Sequence, residues 1–190
     1  MNWISIVRFL PKGKQKFLHP HYYVYKLFPN SNRNDFRYSQ IDECFYIYSQ
    51  EQPVRPEDIV VEILSINKFV KPEDKEYSFA IKYSQSVKSN GKRHDLIQHM
   101  KHKGDKIESP DAIRLDHFIK TFSDIGVEFE KVIIYNRGSE HVYGKNLQKS
   151  WVEFRGLLFV KNNEQFFSFL CKGRGTGKGY GLGTMFLGEI

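Results

Sequence analysis

The stretch Trp151-Val-Glu-Phe-Arg-Gly-Leu-Leu-Phe-Val160, then Glu164-Gln-Phe-Phe-Ser-Phe-Leu-Cys171, then Lys172-Gly-Arg-Gly-Thr-Gly-Lys-Gly-Tyr-Gly-Leu-Gly183 carries most of the fold information. Its first part is rich in β-branched and aromatic residues and reads as a strand. Its second part, with Phe166, Phe167, Phe169 and Leu170 apolar, reads as a short helix. The third part alternates glycine with other residues and cannot be helical, because glycine loses too much backbone entropy there. A last strand over Leu182 to Leu187 closes a strand–helix–strand unit. The glycine segment exposes many backbone N–H groups and interleaves them with Lys172, Arg174 and Lys178. Such an arrangement suits phosphate.

The familiar nucleotide-binding patterns do not fit it. A P-loop needs Gly-Lys-Ser/Thr, but Gly177-Lys178 is followed by Gly179. A dinucleotide fingerprint needs a third glycine where Lys178 stands.

Working outward, helical spacing and a Ser109-Pro110 start predict a helix from Ser109 to about Ile125. It buries Leu115, Phe118, Ile119 and Phe122 and ends at Gly126. A strand follows over Glu128 to Tyr135, and Asn136 to Ser150 reads as a basic loop or open hairpin tip. Upstream, strands are expected over Trp3–Leu10, Cys44–Tyr48, Ile59–Ile66 and Tyr77–Tyr83. A helix is expected over Phe17–Phe28, and Ser31 to Arg37 reads as a polar loop. The result is an α+β chain of two similar halves, each close to a ferredoxin-like unit. The expected divisions are residues 1–88, a basic connector at 89–108, and residues 109–190.

At 190 residues, 40% hydrophobic and 15% aromatic, the chain has material for real cores. Its net charge of +7 favours a polyanionic partner, nucleic acid before an acidic membrane surface. No apolar run approaches the length that spans a bilayer. The two cysteines match no metal spacing and suit a reducing compartment. The start lacks the basic and apolar regions of a signal peptide, so the expected location is the cytoplasm. His94, His99 and His102 lie in a lysine-rich stretch with no spaced carboxylate or thiol to complete a zinc site. No metal and no cofactor is expected.

His21 and Lys26 remain as candidates for chemistry. Near the start of a helix, a histidine that titrates near neutral pH and a lysine five residues on can converge on one phosphate.

The tail Gly173, Gly175, Lys178, Gly181, Gly183 and the following Met185-Phe-Leu187 resemble the C-terminal glycine-rich loop of CRISPR repeat-processing endoribonucleases, closest to the CasE (Cse3) branch. The strand Val152–Val160 before it, His21 with Leu27-Phe-Pro-Asn30 after it, Arg33-Asn-Asp-Phe36, Phe79-Ala-Ile-Lys82 and Gly91-Lys-Arg93 extend the resemblance over nearly the whole chain. It implies two tandem ferredoxin-like (RRM-like) domains. It implies metal-independent cleavage of a CRISPR repeat RNA hairpin at the base of its stem, by the upstream 2′-hydroxyl, to make mature crRNA. Membership of a type I-E Cascade with other Cascade subunits is implied too, the free chain being a monomer. His21 falls on the family's catalytic histidine and Lys26 on a supporting lysine. Where some members carry a tyrosine three residues before the histidine, this chain has Leu18, and Tyr22 or Tyr23 is the candidate substitute, Tyr22 being taken with His21 and Lys26 as a site residue. Further departures are Tyr83-Ser-Gln85, where the family often has Asn-Pro, and the extra glycines Gly177 and Gly179. RNA contacts are expected at Lys172, Gly173, Arg174, Gly175, Lys178, Arg33, Arg37, Lys92 and Arg93. The alternative reading is a hairpin-binding subunit with weak or no catalysis.

Overall fold

The computed structural model describes residues 1–10, 20–32, 35–142, 147–178 and 181–188. They build two four-stranded antiparallel sheets that share one connection order.

The first sheet holds β1 (Trp3–Leu10), β2 (Phe36–Ile41), β3 (Cys44–Ser49) and β4 (Val60–Lys68) in the order β2-β3-β1-β4. Strand alternation sends Ser5, Val7 and Phe9 of β1 to one buried face. On that face lies the helix α1 (Pro20–Lys26) with the turn after it, contributing Tyr23, Val24, Leu27 and Phe28 to a core shared with Phe36, Tyr38, Phe45 and Ile47. Sequence reading predicts a polar loop over Ser31 to Arg37, but β2 begins at Phe36. Its pattern Phe-Arg-Tyr-Ser-Gln-Ile puts polar residues on both faces, and the strand is held by pairing with β3 together with burial of Phe36 and Tyr38.

The second sheet holds β5 (Glu76–Tyr83), β8 (Val127–Val142), β9 (Leu147–Val160) and β10 (Met185–Gly188) in the order β10-β5-β9-β8. Tyr77, Phe79, Ile81 and Tyr83 alternate onto its core face. They meet Phe118 and Phe122 from the helix α3 (Pro110–Thr121) and its cap, and Phe166, Phe169 and Leu170 from α4 (Asn163–Lys172). Both helices start as the sequence requires. Ser109 Oγ accepts from Ala112 N at 3.4 Å, and Asn162 Oδ1 accepts from Gln165 N at 3.0 Å.

Both sheets therefore follow the ferredoxin order, and the fold is α+β with two tandem ferredoxin-like units. The expected division at residue 88 needs correction at one strand. Glu76–Tyr83 hydrogen-bonds to β9 and β10, so it opens the second unit rather than closing the first. Two sequence expectations on length also change. Of the loop or open hairpin tip expected at 136–150, the described residues are the paired strands of a hairpin, because β8 and β9 pair out to Val142 and Leu147. The expected connector forms a hairpin, β6 (Ser86–Ser89) with β7 (Lys92–Asp95), and then the helix α2 (Leu96–Lys103).

The units are joined through the uncovered faces of their sheets. Phe186 of β10 stacks on Tyr48 of β3, ring centroids 4.8 Å apart, and the Tyr48 hydroxyl donates to Met185 O at 3.1 Å. Arg155 of β9 reaches Asp42, in the β2–β3 turn, at 2.9 Å. No helix among the described residues is long and apolar enough to cross a membrane.

Candidate nucleic-acid interface and helix α1

The glycine segment is folded onto the second sheet. Gly173 ends α4, its N–H donating to Phe169 O at 2.7 Å. The two ends of the segment are tied together: Arg174 N donates to Gly183 O at 2.8 Å, and Gly183 N donates to Lys82 O of β5 at 2.6 Å. Gly183 has φ +78°, and a Cβ there would sit 1.8 Å from Arg174 O. Only glycine allows both the left-handed backbone and that approach. Gly175 lies against the Tyr83 ring of the same sheet, and Gly181 against the Tyr38 ring of the first. Gly179 and Tyr180 lie outside the described residues.

Arg174 anchors this loop. Its guanidinium donates to Thr121 O and to the Asp124 carboxylate at the end of α3, and lies 5.8 Å from the Phe122 ring centroid. The hydrogen bond from Arg174 holds the Asp124 carboxyl below the usual carboxylate range. Lys172 is exposed at the end of α4, and the Lys178 stem runs along Gly173. The Lys149 ammonium lies beside Gly177, 3.4 Å from where a Cβ would stand.

The β6–β7 hairpin adjoins this loop. The Ser86 and Thr176 hydroxyls are 3.5 Å apart, and Arg93 donates to Ser86 Oγ at 3.4 Å. Lys88 and Lys92 are exposed on the hairpin, with Lys88 opposite Arg93. The hairpin is held by a half-hidden polar network. Asp95 caps α2 by accepting from Ile97 N at 3.0 Å, and takes a forked pair of bonds from Arg114 of α3 at 3.0 and 3.1 Å. Ser150 Oγ of β9 donates to the same carboxylate at 3.3 Å. Arg114 NH1 and O are both engaged by the Gln85 side-chain amide, at 3.2 and 2.7 Å. The Arg114 and Asp95 side chains retain only 11% and 13% exposure, so breaking the pair leaves a desolvated charge. Beside them, burial pushes the His117 imidazole below its ordinary value.

Helix α1 presents the other candidates. His21 lies in its first turn, with a side chain outside the described part. Tyr22 is 47% exposed, its ring edge-on to buried Tyr23. The Lys26 ammonium sits 5.4 Å from the Tyr22 ring centroid and 2.7 Å from Asp58 Oδ2. Hydrogen bonding to Asp58, then to Tyr22, raises the Lys26 pKa. Arg37 is on β2 rather than in a loop, half-buried and donating to Phe36 O at 2.7 Å. Arg33 and Leu18 lie outside the described residues.

The fold thus gathers Gly173, Arg174, Gly175, Lys178 and Arg93 on one side of the second unit, with Lys92 on the same hairpin. Tyr22 and Lys26 stay on the first unit. The link between the groups is Gly181 against Tyr38, which belongs to the core beneath α1. Sequence reading missed Lys149 as an individual residue, the Asp95–Arg114 pair and Asp58. Only the general basicity of 136–150 pointed toward the first. Among the described residues no three His, Cys, Asp or Glu side chains come together as a metal site.

An α+β chain of paired ferredoxin-like units with cations around a glycine loop defines the structural class. The chain belongs to the CRISPR associated protein family, whose model matches residues 11–188. Among solved structures, it resembles the CRISPR endoribonuclease Cse3 bound to a 19-nucleotide RNA, with TM-score 0.77, 17% identity and 98% of each chain covered. It also resembles the CRISPR-associated protein Cas6e from Escherichia coli K-12, with TM-score 0.66, 18% identity, and 99% of this chain and 100% of that one covered. A chain of a CRISPR RNA-guided surveillance complex aligns at TM-score 0.65 and 15% identity, over 99% and 100%. At these identities the likeness is one of fold. No curated protein sequence matches the chain.

Proposed function

We propose that the chain is a metal-independent endoribonuclease that cuts CRISPR repeat RNA at the base of its stem-loop and stays on the product as a Cascade subunit. The observation that carries this reading is the joining of the glycine loop to the basic β6–β7 hairpin, Thr176 against Ser86 with Arg93 beside it. Hairpin RNA is read largely through its backbone and shape, and backbone contacts need cations spread along a surface. Lys172, Arg174, Lys178, Lys92, Arg93, Arg33 and Arg37 serve this role in the proposal, with Lys149 added. The family match and the fold of Cse3, whose solved structure holds RNA, support the substrate class.

In the proposed reaction the ribose 2′-oxygen attacks the adjacent phosphorus as its proton is removed. The bond from phosphorus to the 5′-oxygen breaks, leaving a 2′,3′-cyclic phosphate and a 5′-oxygen that takes up a proton to become a 5′-hydroxyl. His21 transfers a proton, and the Lys26 ammonium stabilises charge on the phosphorane oxygens. Alignment supplies much of the rest.

The test is incubation of the protein with its host's repeat RNA in EDTA, with product ends mapped. Cleavage is expected in the wild type. His21→Ala is expected to cut at least a hundredfold more slowly, by the usual worth of one acid–base group, with little change in hairpin affinity. Cleavage that stops on chelation overturns the metal-free mechanism. The second reading, a hairpin-binding subunit that does not cut, is favoured by Leu18 where some relatives have tyrosine, and the same assay separates the two.

A further inference from the structure

In a ferredoxin-like unit a second helix normally crosses between the third and fourth strands. The first unit has none there. Residues 50–59 run without a helix from β3 to β4. This strap crosses the exit of α1, and three contacts tie it there. Val54 N donates to Leu27 O at 2.9 Å, satisfying a carbonyl that the helix end leaves open. Ser31 Oγ, just after α1, reaches Glu51 Oε2 at 3.5 Å. Asp58 meets the Lys26 ammonium at 2.7 Å. The described part of helix α1 spans seven residues, Pro20–Lys26, and such a short segment gains from support of this kind.

From this geometry we infer that Asp58 is a positioning residue, holding the Lys26 ammonium in a fixed place over the Tyr22 ring so that it meets the scissile phosphate already oriented. The inference rests on the proposed cleavage reaction. A lysine head group on a flexible four-carbon stem otherwise samples many positions, and RNA binding would have to order it. A carboxylate on the strap fixes it in the free protein. Among the described residues, the groups acting on Lys26 are Asp58 from the strap and Tyr22 from its own helix, and both keep the ammonium charged. The Lys26 side chain is 39% exposed, which leaves its head group accessible to a phosphate oxygen while Asp58 retains it.

The experiment compares wild type, Asp58→Asn and Asp58→Glu on the repeat hairpin under single-turnover conditions at saturating protein. Asp58→Asn is expected to slow cleavage about tenfold while leaving the hairpin Kd within about twofold, since the loss is one of alignment. Asp58→Glu is expected to restore most of the rate. In the RNA-free protein, an NMR titration of the Lys26 side chain is expected to give a pKa above that of an ordinary lysine in wild type and a lower one in Asp58→Asn. Wild-type or faster cleavage by Asp58→Asn, or an unchanged Lys26 titration, overturns the inference. Should the wild-type chain leave the repeat uncut, the proposed function falls instead, and the Lys26 titration still decides whether Asp58 holds the ammonium.

Discussion

The two units share a strand order and differ in how they are supported. The second has two capped helices over one sheet face and a core dense in phenylalanine, where Phe118 stacks on Phe154 at 4.2 Å and packs against Phe122 at 4.6 Å. Among the described residues the first has one helix, Pro20–Lys26, a strap in place of the second helix, and fewer buried phenylalanines. The first unit is braced by the strap, and its Tyr48 meets Met185 and Phe186 of β10. Under the proposed function the difference assigns labour: the second unit carries the loop and hairpin that would meet RNA, and the first carries the helix with His21 and Lys26.

The largest effect should come from cutting into each core in turn. Phe118 and Leu27 are both fully buried. Phe118→Ala is expected to cost about 3–5 kcal/mol and Leu27→Ala about 2–5 kcal/mol, by lost burial plus cavity. Urea unfolding measures both. The comparison predicts a divergence in function at temperatures where each variant stays folded. Leu27→Ala should slow cleavage far more than it weakens hairpin binding, because the Leu27 side chain anchors the end of α1 in the core of the first unit. Phe118→Ala should weaken hairpin binding more than it slows cleavage of bound RNA, because α3 and the turn after it hold both the hairpin, through Arg114, and the glycine loop, through Arg174. Equal functional losses in the two variants would break the division of labour.

Next comes the loop. Gly183→Ala puts a side chain into a left-handed backbone and against Arg174 O. A stability loss of roughly 1–3 kcal/mol is expected from the strained backbone alone. Because the tie between Arg174 and Gly183 shapes the loop, hairpin affinity should fall about tenfold or more, measured by titration with labelled repeat RNA. The cleavage rate of the RNA that does bind should change little. A fall in that rate with affinity intact would place the loop in the chemistry instead.

Much of the second unit was legible in sequence because its signals are local. Ser109-Pro110 starts one helix, Phe166 and Phe169 mark another, and Trp151–Val160 is dense in strand formers. The first unit was harder. Phe36–Ile41 carries polar residues on both faces, and its strand depends on pairing with β3 and on burial of Phe36 and Tyr38 under α1, neither of which is local in sequence. Glu76–Tyr83 was recognised as a strand, but nothing local says which sheet it joins; that is decided by β9 and β10, far along the chain. The site divides in the same way. Glycines and cations are visible as composition, and the loop they suggested is there. The partner of Lys26 lies 32 residues away and that of Arg114 lies 19 away, and neither spacing has a periodicity to betray it.

The smallest effect tests how far the first unit leans on the second. Tyr48 crosses the boundary with one hydrogen bond, to Met185 O, and a stacked ring on Phe186. Tyr48→Phe keeps the stack and removes the hydroxyl, leaving one carbonyl without that donor, at a cost of about 1 kcal/mol. If the boundary couples the units, urea unfolding should remain a single transition shifted to lower denaturant; separation into two transitions would mean that each unit stands alone. The pH dependence gives an independent check. Burial raises the Tyr48 pKa well above its unfolded value of 10.0. The folded state therefore holds a proton that the unfolded chain releases. The stability it contributes is whole below about pH 10 and falls as pH climbs past that value. Tyr48→Phe has no such proton to lose, so its deficit against wild type should shrink as pH rises above about 10. A constant deficit across that range would show that the hydroxyl ionises as freely in the folded protein as in the unfolded one, and that the boundary between the sheets is wet.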